Sequence, residues 1–245
     1  MRPSTEEDLF LKQLELTPRL ALLASWVSDG ARLADIGTDH AYLPVWLMLA
    51  GRLRSAIASD LRAGPLDRAR ATGKTWGVAE RIDFRLGPGL DTVAPEEADT
   101  VVIAGMGGET IAAILAAAPW TADGRHRLLL QPMTRAWELR AFLADNGYAI
   151  TREALVRDRG TLYPVMEAGA GEMTLSLGQL HGGAGLTHDP LGDRYLIEQI
   201  VRLEMAVAGL NRGTGEKSRA RADETRDVIT ALLAMREEWR HAQCR

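Results

Sequence analysis

From about residue 30 the hydrophobic positions fall into a rhythm of short apolar runs and amphipathic stretches. "ARLADIG" is an apolar run ending at Gly37, and "YLPVWLMLAG" behind it is helical and stops at Gly51. "SAIASD" reads as a second strand ending at Asp60, "AGPLDRARATGKTWG" as an amphipathic helix and "RIDFRLG" as a third strand. "DTVVIAG", dense in β-branched residues, predicts a fourth. "GETIAAILAAA" predicts a helix, "HRLLLQP" a fifth strand, and "AWELRAFLADNG" a helix that Gly147 ends. "YAITREALVRD" and "TLYPVMEAG" follow with no helix between them and read as an antiparallel pair. Ahead of this pattern, residues 5 to 30 read as one or two helices broken at Thr17-Pro18, with Thr17 as the cap of the second.

Strands alternating with helices predict an α/β fold, a parallel sheet with helices on both faces. The closing strand pair separates two versions of it. Plain dinucleotide-binding sheets finish with another strand–helix unit. A Rossmann-like sheet that closes with a β-hairpin is the pattern of class I S-adenosylmethionine-dependent methyltransferases. After residue 170 the composition changes: "HGGAGLTHDPLGD" reads as a linker or irregular segment. Then Leu196, Ile200, Leu203, Val207 and Leu210 are spaced 4, 3, 4 and 3, and Val228, Leu232, Met235 and Trp239 are spaced 4, 3 and 4. That is coiled-coil-like spacing on two arms joined by "NRGTGEK", so we expect a C-terminal α-helical hairpin; two further helices of the main domain are the alternative. The expected division is a methyltransferase domain over 1–170, then linker and helical hairpin over 171–245.

Composition narrows the classes. The chain has 245 residues, 46% hydrophobic and 25% charged, ordinary globular values. It holds no run of about 18 uncharged apolar residues, so no membrane span is expected, and "MRPSTEEDLF" lacks the apolar stretch of a signal peptide. Cys244 is the single cysteine, which excludes an internal disulfide and argues against a cysteine-based metal site; no metal is expected. A cytoplasmic protein, monomeric or weakly dimeric, is the simplest expectation. The net charge of −4 leaves an RNA partner open, since RNA needs only a local basic surface.

The candidate chemistry begins at "LADIGTDHAYLP", residues 33 to 44. A dinucleotide turn uses several glycines because a pyrophosphate needs close backbone approach. This turn has Gly37, Thr38 and two acids, Asp35 and Asp39. Carboxylates repel a pyrophosphate but suit a ligand with a sulfonium and an ammonium. Asp39 could instead be a simple helix cap near His40. Asp60, followed by Leu61, stands about twenty residues past Gly37, where an acid can accept hydrogen bonds from ribose hydroxyls. The Gly87 turn in "RLGPGL" offers backbone to an adenine ring. "IAGMGGE", with Ala104, Gly105, Met106, Gly107 and Gly108, reads as a switch-point loop whose glycines let a flat base approach.

"LADIGTDHAYLP", "LRAGPL", "RLGPGL", "VIAGMGGE" and "LLLQP", in this order and with a helical C-terminal extension, resemble the bacterial tRNA (adenine-22-N1)-methyltransferase family over roughly residues 15 to 165. The resemblance implies S-adenosylmethionine as cofactor and N1 of a tRNA adenine as the methyl acceptor. By position and by resemblance to the family's Asp-His pair, Asp39 is the candidate catalytic carboxylate; His40 beside it either orients the base or is structural, and Tyr42 is a candidate substrate contact. Two positions depart from the family pattern: Pro88 stands where the family has Asp, and Met133 where it has Asn after Gln-Pro. Arg62, Arg68, Arg70 and Lys74 on one helix, and Arg212, Lys217, Arg219 and Arg221 at the hairpin tip, are candidate tRNA contacts or ordinary solvated faces. A small-molecule methyltransferase would share the cofactor features without needing the hairpin. A nicotinamide oxidoreductase is disfavoured by Asp39 and the missing glycines, and a non-catalytic binding module stays open through Pro88 and Met133.

Overall fold

The computed structural model of the chain describes residues 14–213 and 215–243. Residues 5 to 13 of the helical stretch expected over 5 to 30, and Cys244, lie outside the described residues. Seven strands form one mixed sheet: β1 (Ala31–Ile36), β2 (Leu53–Asp60), β3 (Ile82–Leu86), β4 (Thr100–Gly107), β5 (Arg127–Thr134), β6 (Tyr148–Asp158) and β7 (Thr161–Ala170). Their order is β3-β2-β1-β4-β5-β7-β6. Neighbours from β3 to β5 are parallel, and β7 runs antiparallel to both β5 and β6. The closing pair expected from sequence is therefore a β-hairpin inside the sheet.

Alternation within the strands builds two cores. Leu33, Val102 and Leu129 point to one face, against Leu23 of α1 (Pro18–Trp26), Leu47 of α2 (Tyr42–Leu49) and Ala69 of α3 (Ala63–Thr75). Ala34, Val101, Ile103, Leu128 and Leu130 point to the other, against Ile111 and Leu115 of α4 (Gly108–Ala116) and Leu139 and Leu143 of α5 (Ala136–Asp145). A strand buried on both faces needs apolar residues at every position, which is why the strands read as continuous apolar runs. Thr17 caps α1 through its side chain, which accepts from the Leu20 amide, with Pro18 opening the helix.

The "IAGMGGE" stretch corrects one expectation. It is not a loop after the strand: β4 continues through Gly107, and its register to β5 slips on either side of Met106. Gly105, at φ +79°, has no partner in that register and bends the strand end.

After Ala170 come α6 (Leu177–Gly182), a single 3-10 turn at Leu186–His188, α7 (Gly192–Leu210) and α8 (Glu216–Gln243). Leu196 and Ile200 of α7 pack on Val228, Leu232 and Met235 of α8, with Leu203 partly buried beside them. The spaced hydrophobic residues thus form a seam between the two arms. It is tightest at the base and opens toward the tip, where Val207 and Leu210 are half-buried. Trp239 donates its indole N–H to the Asp189 carbonyl at 2.8 Å, tying the end of α8 to the segment before α7.

The glycine-rich stretch expected to be a linker is fastened down. Arg140 of α5 and Glu153 of β6 form an ion pair with no exposed side-chain surface on either partner. Nε and Nη2 of Arg140 donate to Glu153 Oε1 at 3.0 and 2.7 Å, and Nη1 donates to the Leu180 carbonyl at 2.7 Å. The other carboxylate oxygen accepts from the amides of Ala184 and Gly185. Tyr195 of α7 also bonds Arg140, and burial pushes its phenol pKa up. One buried pair so reaches α5, β6, α6, the glycine-rich stretch and α7.

Removing one member leaves the other charged and buried, which costs about 3–5 kcal/mol. Arg140→Met should lower the melting temperature by on the order of 10 °C at this chain length. Arg140→Met with Glu153→Gln, which keeps an acceptor for the Ala184 and Gly185 amides, should recover most of that loss. An unchanged melting temperature in the single variant would show that the pair carries no such weight.

Candidate active site

The site forms at the carboxyl ends of the strands. β1 lies between β2 and β4, where the chain switches direction across the sheet, the position at which open α/β sheets bind ligands. The turn after β1 is tight and strained. Gly37 sits at φ +71°, and Asp39 and Ala41 also take left-handed conformations, at +47° and +55°. Such conformations cost of order 1–3 kcal/mol each for residues with side chains and cluster at functional sites. A Cβ on Gly37 would stand 2.0 Å from the Met106 methyl, which would have to move, and at this φ any side chain is strained. The Gly37 and Thr38 amides donate to the Ser59 carbonyl at 2.8 and 3.0 Å, pinning the turn to β2. The cap of α2 is Ala41, with no side-chain hydrogen bond, so Asp39 is not a helix cap.

Three carboxylates converge on this turn. Asp35 is buried at the end of β1; its Oδ2 accepts from the Thr38 hydroxyl at 2.6 Å. Asp60 is buried at the end of β2; it accepts from the Arg62 amide at 2.9 Å and the Asp39 amide at 3.3 Å. The Asp39 side chain is half exposed. Its Oδ1 accepts from Arg68 at 2.6 Å, and its Oδ2 stands 3.7 Å from His40 Nε2. The His40 ring stacks on Tyr42, with centroids 5.2 Å apart and planes 5° from parallel.

Two cavities meet here, sharing Gly37, Asp39, Ala104 and Gly105. The first, about 460 Å³, runs past Asp60, Leu61, Gly87, Pro88, Met106 and Ile114. The second, about 340 Å³, is bounded by Asp35, Thr38, His40, Tyr42, Arg19 and Met133. The structure therefore gathers twelve of the site residues singled out in the sequence around one turn. Gly107 and Gly108 are not among them. A Cβ on Gly108 would stand 2.2 Å from the Arg135 carbonyl, so its glycine serves backbone packing against the end of β5. Arg68 reaches the site through Asp39. Lys217, Arg219 and Arg221 are exposed in the first turns of α8 and line neither cavity.

Sequence reading passed over Arg19. From the first turn of α1 it donates to Asp158 of β6 at 2.6 Å and to Gln131 of β5 at 2.8 Å, and its guanidinium lies 5.3 Å from the Tyr163 ring centre. It lines the second cavity together with Asp39. Met133, one of the two departures from the family pattern, borders the same cavity, and Pro88, the other, borders the first.

Electrostatics single out Asp35. Burial raises its pKa to about 6, only partly offset by the Thr38 hydrogen bond, and the neighbouring Asp60 raises it further. Its Oδ1 receives no hydrogen bond from a described residue. A buried carboxylate with a free oxygen beside a cavity fits a cationic group. The folded pKa lies above the unfolded value, so the favourable contribution is complete below about pH 4 and is lost as pH rises through 6. At pH 8 the ionised form costs the fold about 3 kcal/mol. Asp35→Asn, which still accepts from Thr38, should therefore melt about 5–10 °C higher at pH 8, with the gain fading toward pH 4. Equal melting curves at pH 8 would mean that burial does not strain this carboxylate.

Comparison with known proteins places this geometry. A methyltransferase-domain family profile matches residues 16–166. The tRNA (adenine(22)-N(1))-methyltransferase of Bacillus subtilis strain 168 is 36% identical over 180 residues, 74% of this chain and 76% of that protein. The crystal structure of the B. subtilis m1A22 tRNA methyltransferase has a TM-score of 0.83 at 31% identity, covering 91% of this chain and 99% of that one. A Streptococcus pneumoniae protein crystallised with S-adenosyl-L-methionine has a TM-score of 0.79 at 33% identity, covering 90% and 99%. Identity at this level over three quarters of both sequences, on a sheet with two facing cavities at its switch point, means that the chain belongs to the bacterial tRNA (adenine-22-N1)-methyltransferase family.

Proposed function

We propose that this chain transfers a methyl group from S-adenosylmethionine to N1 of an adenine in tRNA, at position 22 by family. The observation that carries the reading is the position of Asp39, on the wall shared by the two cavities. A residue there faces both a cofactor in one cavity and a base in the other. Bound S-adenosylmethionine supplies an electrophilic sulfonium methyl. Asp60 is placed to accept from ribose hydroxyls, Leu61, Gly87 and Met106 to flank the adenine, and Asp35 with its free oxygen to meet the cationic amino-acid end, with Gly37, Thr38, Ala104 and Gly105 between. Pro88 offers no side-chain hydrogen bond to the cofactor base.

Adenine N1 already carries an in-plane lone pair, so no base has to activate it. The protein's work is alignment, which converts a bimolecular encounter into a positioned one, and stabilisation of the positive charge left on the methylated ring. Asp39 does the second, by accepting from the adenine amino group as charge develops. The stacked His40 and Tyr42 rings offer a flat wall to orient the base. N1 lies on the pairing edge, so the adenine must leave its stack, at a cost of a few kcal/mol that contacts elsewhere on the tRNA offset. Arg68 and the hairpin-tip cations Lys217, Arg219 and Arg221 are the surfaces we assign to those contacts. Catalysis falls to the sheet domain and RNA reach to the helices beyond residue 170. No helix among the described residues is long and apolar enough to cross a membrane, and a tRNA substrate fits a cytoplasmic enzyme.

Asp39→Asn keeps a side chain that tolerates the left-handed turn. It should bind S-adenosylmethionine within a few-fold of the parent by titration calorimetry, yet lose about 100-fold or more in methyl transfer to tRNA; full turnover would remove Asp39 from the mechanism. Charge reversal at Lys217, Arg219 and Arg221 should weaken tRNA binding and flatten its salt dependence. Unchanged affinity across a salt series would take the hairpin tip off the RNA surface.

A further inference from the structure

A third cavity, about 360 Å³, lies between the sheet domain and the helical hairpin. The β5–α5 connection and the start of β7 form one wall, and Tyr195, Gln199 and Arg202 of α7 form the other. Met133 borders both this cavity and the one holding Asp39, so the two are neighbours across one side chain. At this size it suits a single nucleotide rather than a duplex, since small-ligand sites run from roughly 300 to 1,000 Å³.

Its lining has a definite chemistry. Trp137 is 43% exposed, an uncommon state for so large an apolar ring. It stacks on His181 of α6, with centroids 5.2 Å apart and planes 17° from parallel. Burial, with Arg140 nearby, lowers the His181 pKa, so near neutral pH an uncharged ring backs the tryptophan. Arg135 and Arg202 both line the cavity. Arg135 pairs with Glu138 at 3.3 Å and approaches Glu109 at 3.9 Å, whereas Arg202 is exposed and forms no ion pair with a described carboxylate. No aspartate or glutamate is among the lining residues, although acids outnumber bases in the chain, 33 to 29. An exposed indole, two guanidiniums and no lining acid match the base and phosphate of an unpaired nucleotide.

We propose that this cavity seats an unpaired nucleotide adjoining the methylated adenosine, its base stacked on Trp137 and its phosphate held by Arg202. The proposal rests on the tRNA methyltransferase reading. Held this way, the RNA spans sheet domain and hairpin at the point where they meet. The seat also recovers part of the cost of extruding the neighbouring adenine.

The full-length protein and unmodified tRNA test it, through KM and kcat for tRNA and the affinity for S-adenosylmethionine. Trp137→Ala should raise KM for tRNA about 5- to 100-fold, the range for losing one stacked base. Trp137→Phe should stay within about threefold, and cofactor affinity and melting temperature should hold in both. Arg202→Ala should raise KM and lower the salt slope of tRNA binding by about one phosphate contact. Unchanged KM in Trp137→Ala and Arg202→Ala, with the parent methylating tRNA normally, overturns the cavity assignment and leaves the enzyme reading intact. A parent that transfers no methyl to tRNA overturns the enzyme reading. In that event binding of the same tRNA without turnover decides the cavity: weaker binding by both variants supports it, and equal binding refutes it.

Discussion

Arg140 and Glu153 meet where water does not reach, and the C-terminal third of the molecule is arranged around them. A charge taken out of water loses several kcal/mol of hydration unless a counter-charge and well-placed hydrogen bonds replace it. Here every exchange is made with a different part of the chain. The guanidinium reaches β6, the Leu180 carbonyl and Tyr195; the carboxylate reaches the amides of Ala184 and Gly185. None of these groups can move away without stranding a buried polar atom. A segment whose composition resembles a loose tether is thereby fixed against the sheet, and the helices after it inherit a defined direction. The pair contributes little net stability over an apolar substitute. Its effect is on where things sit.

The opposite trade is made at the switch point in the middle of the sheet. The turn after β1 spends stability on left-handed residues at Asp39 and Ala41 and on the buried, isolated carboxylate of Asp35. It returns three carboxylates at defined heights around two cavities. Two lie deep at strand ends, pinned by backbone amides or a hydroxyl, and one lies on the rim within reach of Arg68 and His40. A fold that minimised its own free energy would not keep Asp35 half-satisfied. That tension is intelligible once a cation belongs beside it.

Much of this was readable in advance because it follows from periodicity and local chemistry. Continuous apolar runs in β1, β4 and β5 mark strands buried on both faces, the missing helix between β6 and β7 marks the closing hairpin, and the 4-3 spacing of Leu196, Ile200, Leu203 and of Val228, Leu232, Met235 marks the seam. The acids at residues 35, 39 and 60 were legible because each stands at the end of a strand or in the turn that follows one, which fixes where a side chain will lie. What escaped was non-local. Arg19 finds Asp158 across 139 positions, and Arg140 finds Leu180 and Tyr195 through packing that no short window contains. Composition misled at 181–193, where glycines read as looseness are sites of close contact: Gly182 lies against Leu196, Leu232 and Met235, and Gly192 against Trp239. At Gly108 packing alone calls for a small residue, since a Cβ there would meet the Arg135 carbonyl.

The hairpin can finally be viewed as a lever. α8 has 28 residues and rises about 42 Å, with its base held near Trp239 and Arg236 and its far end at Glu216. Each degree of tilt at the base swings that end by about 0.7 Å. Small angular play at the fulcrum would thus smear the tip across the width of a phosphate. The rigidity of a few buried bonds beside Arg140 sets the aim of a surface most of a domain's diameter away.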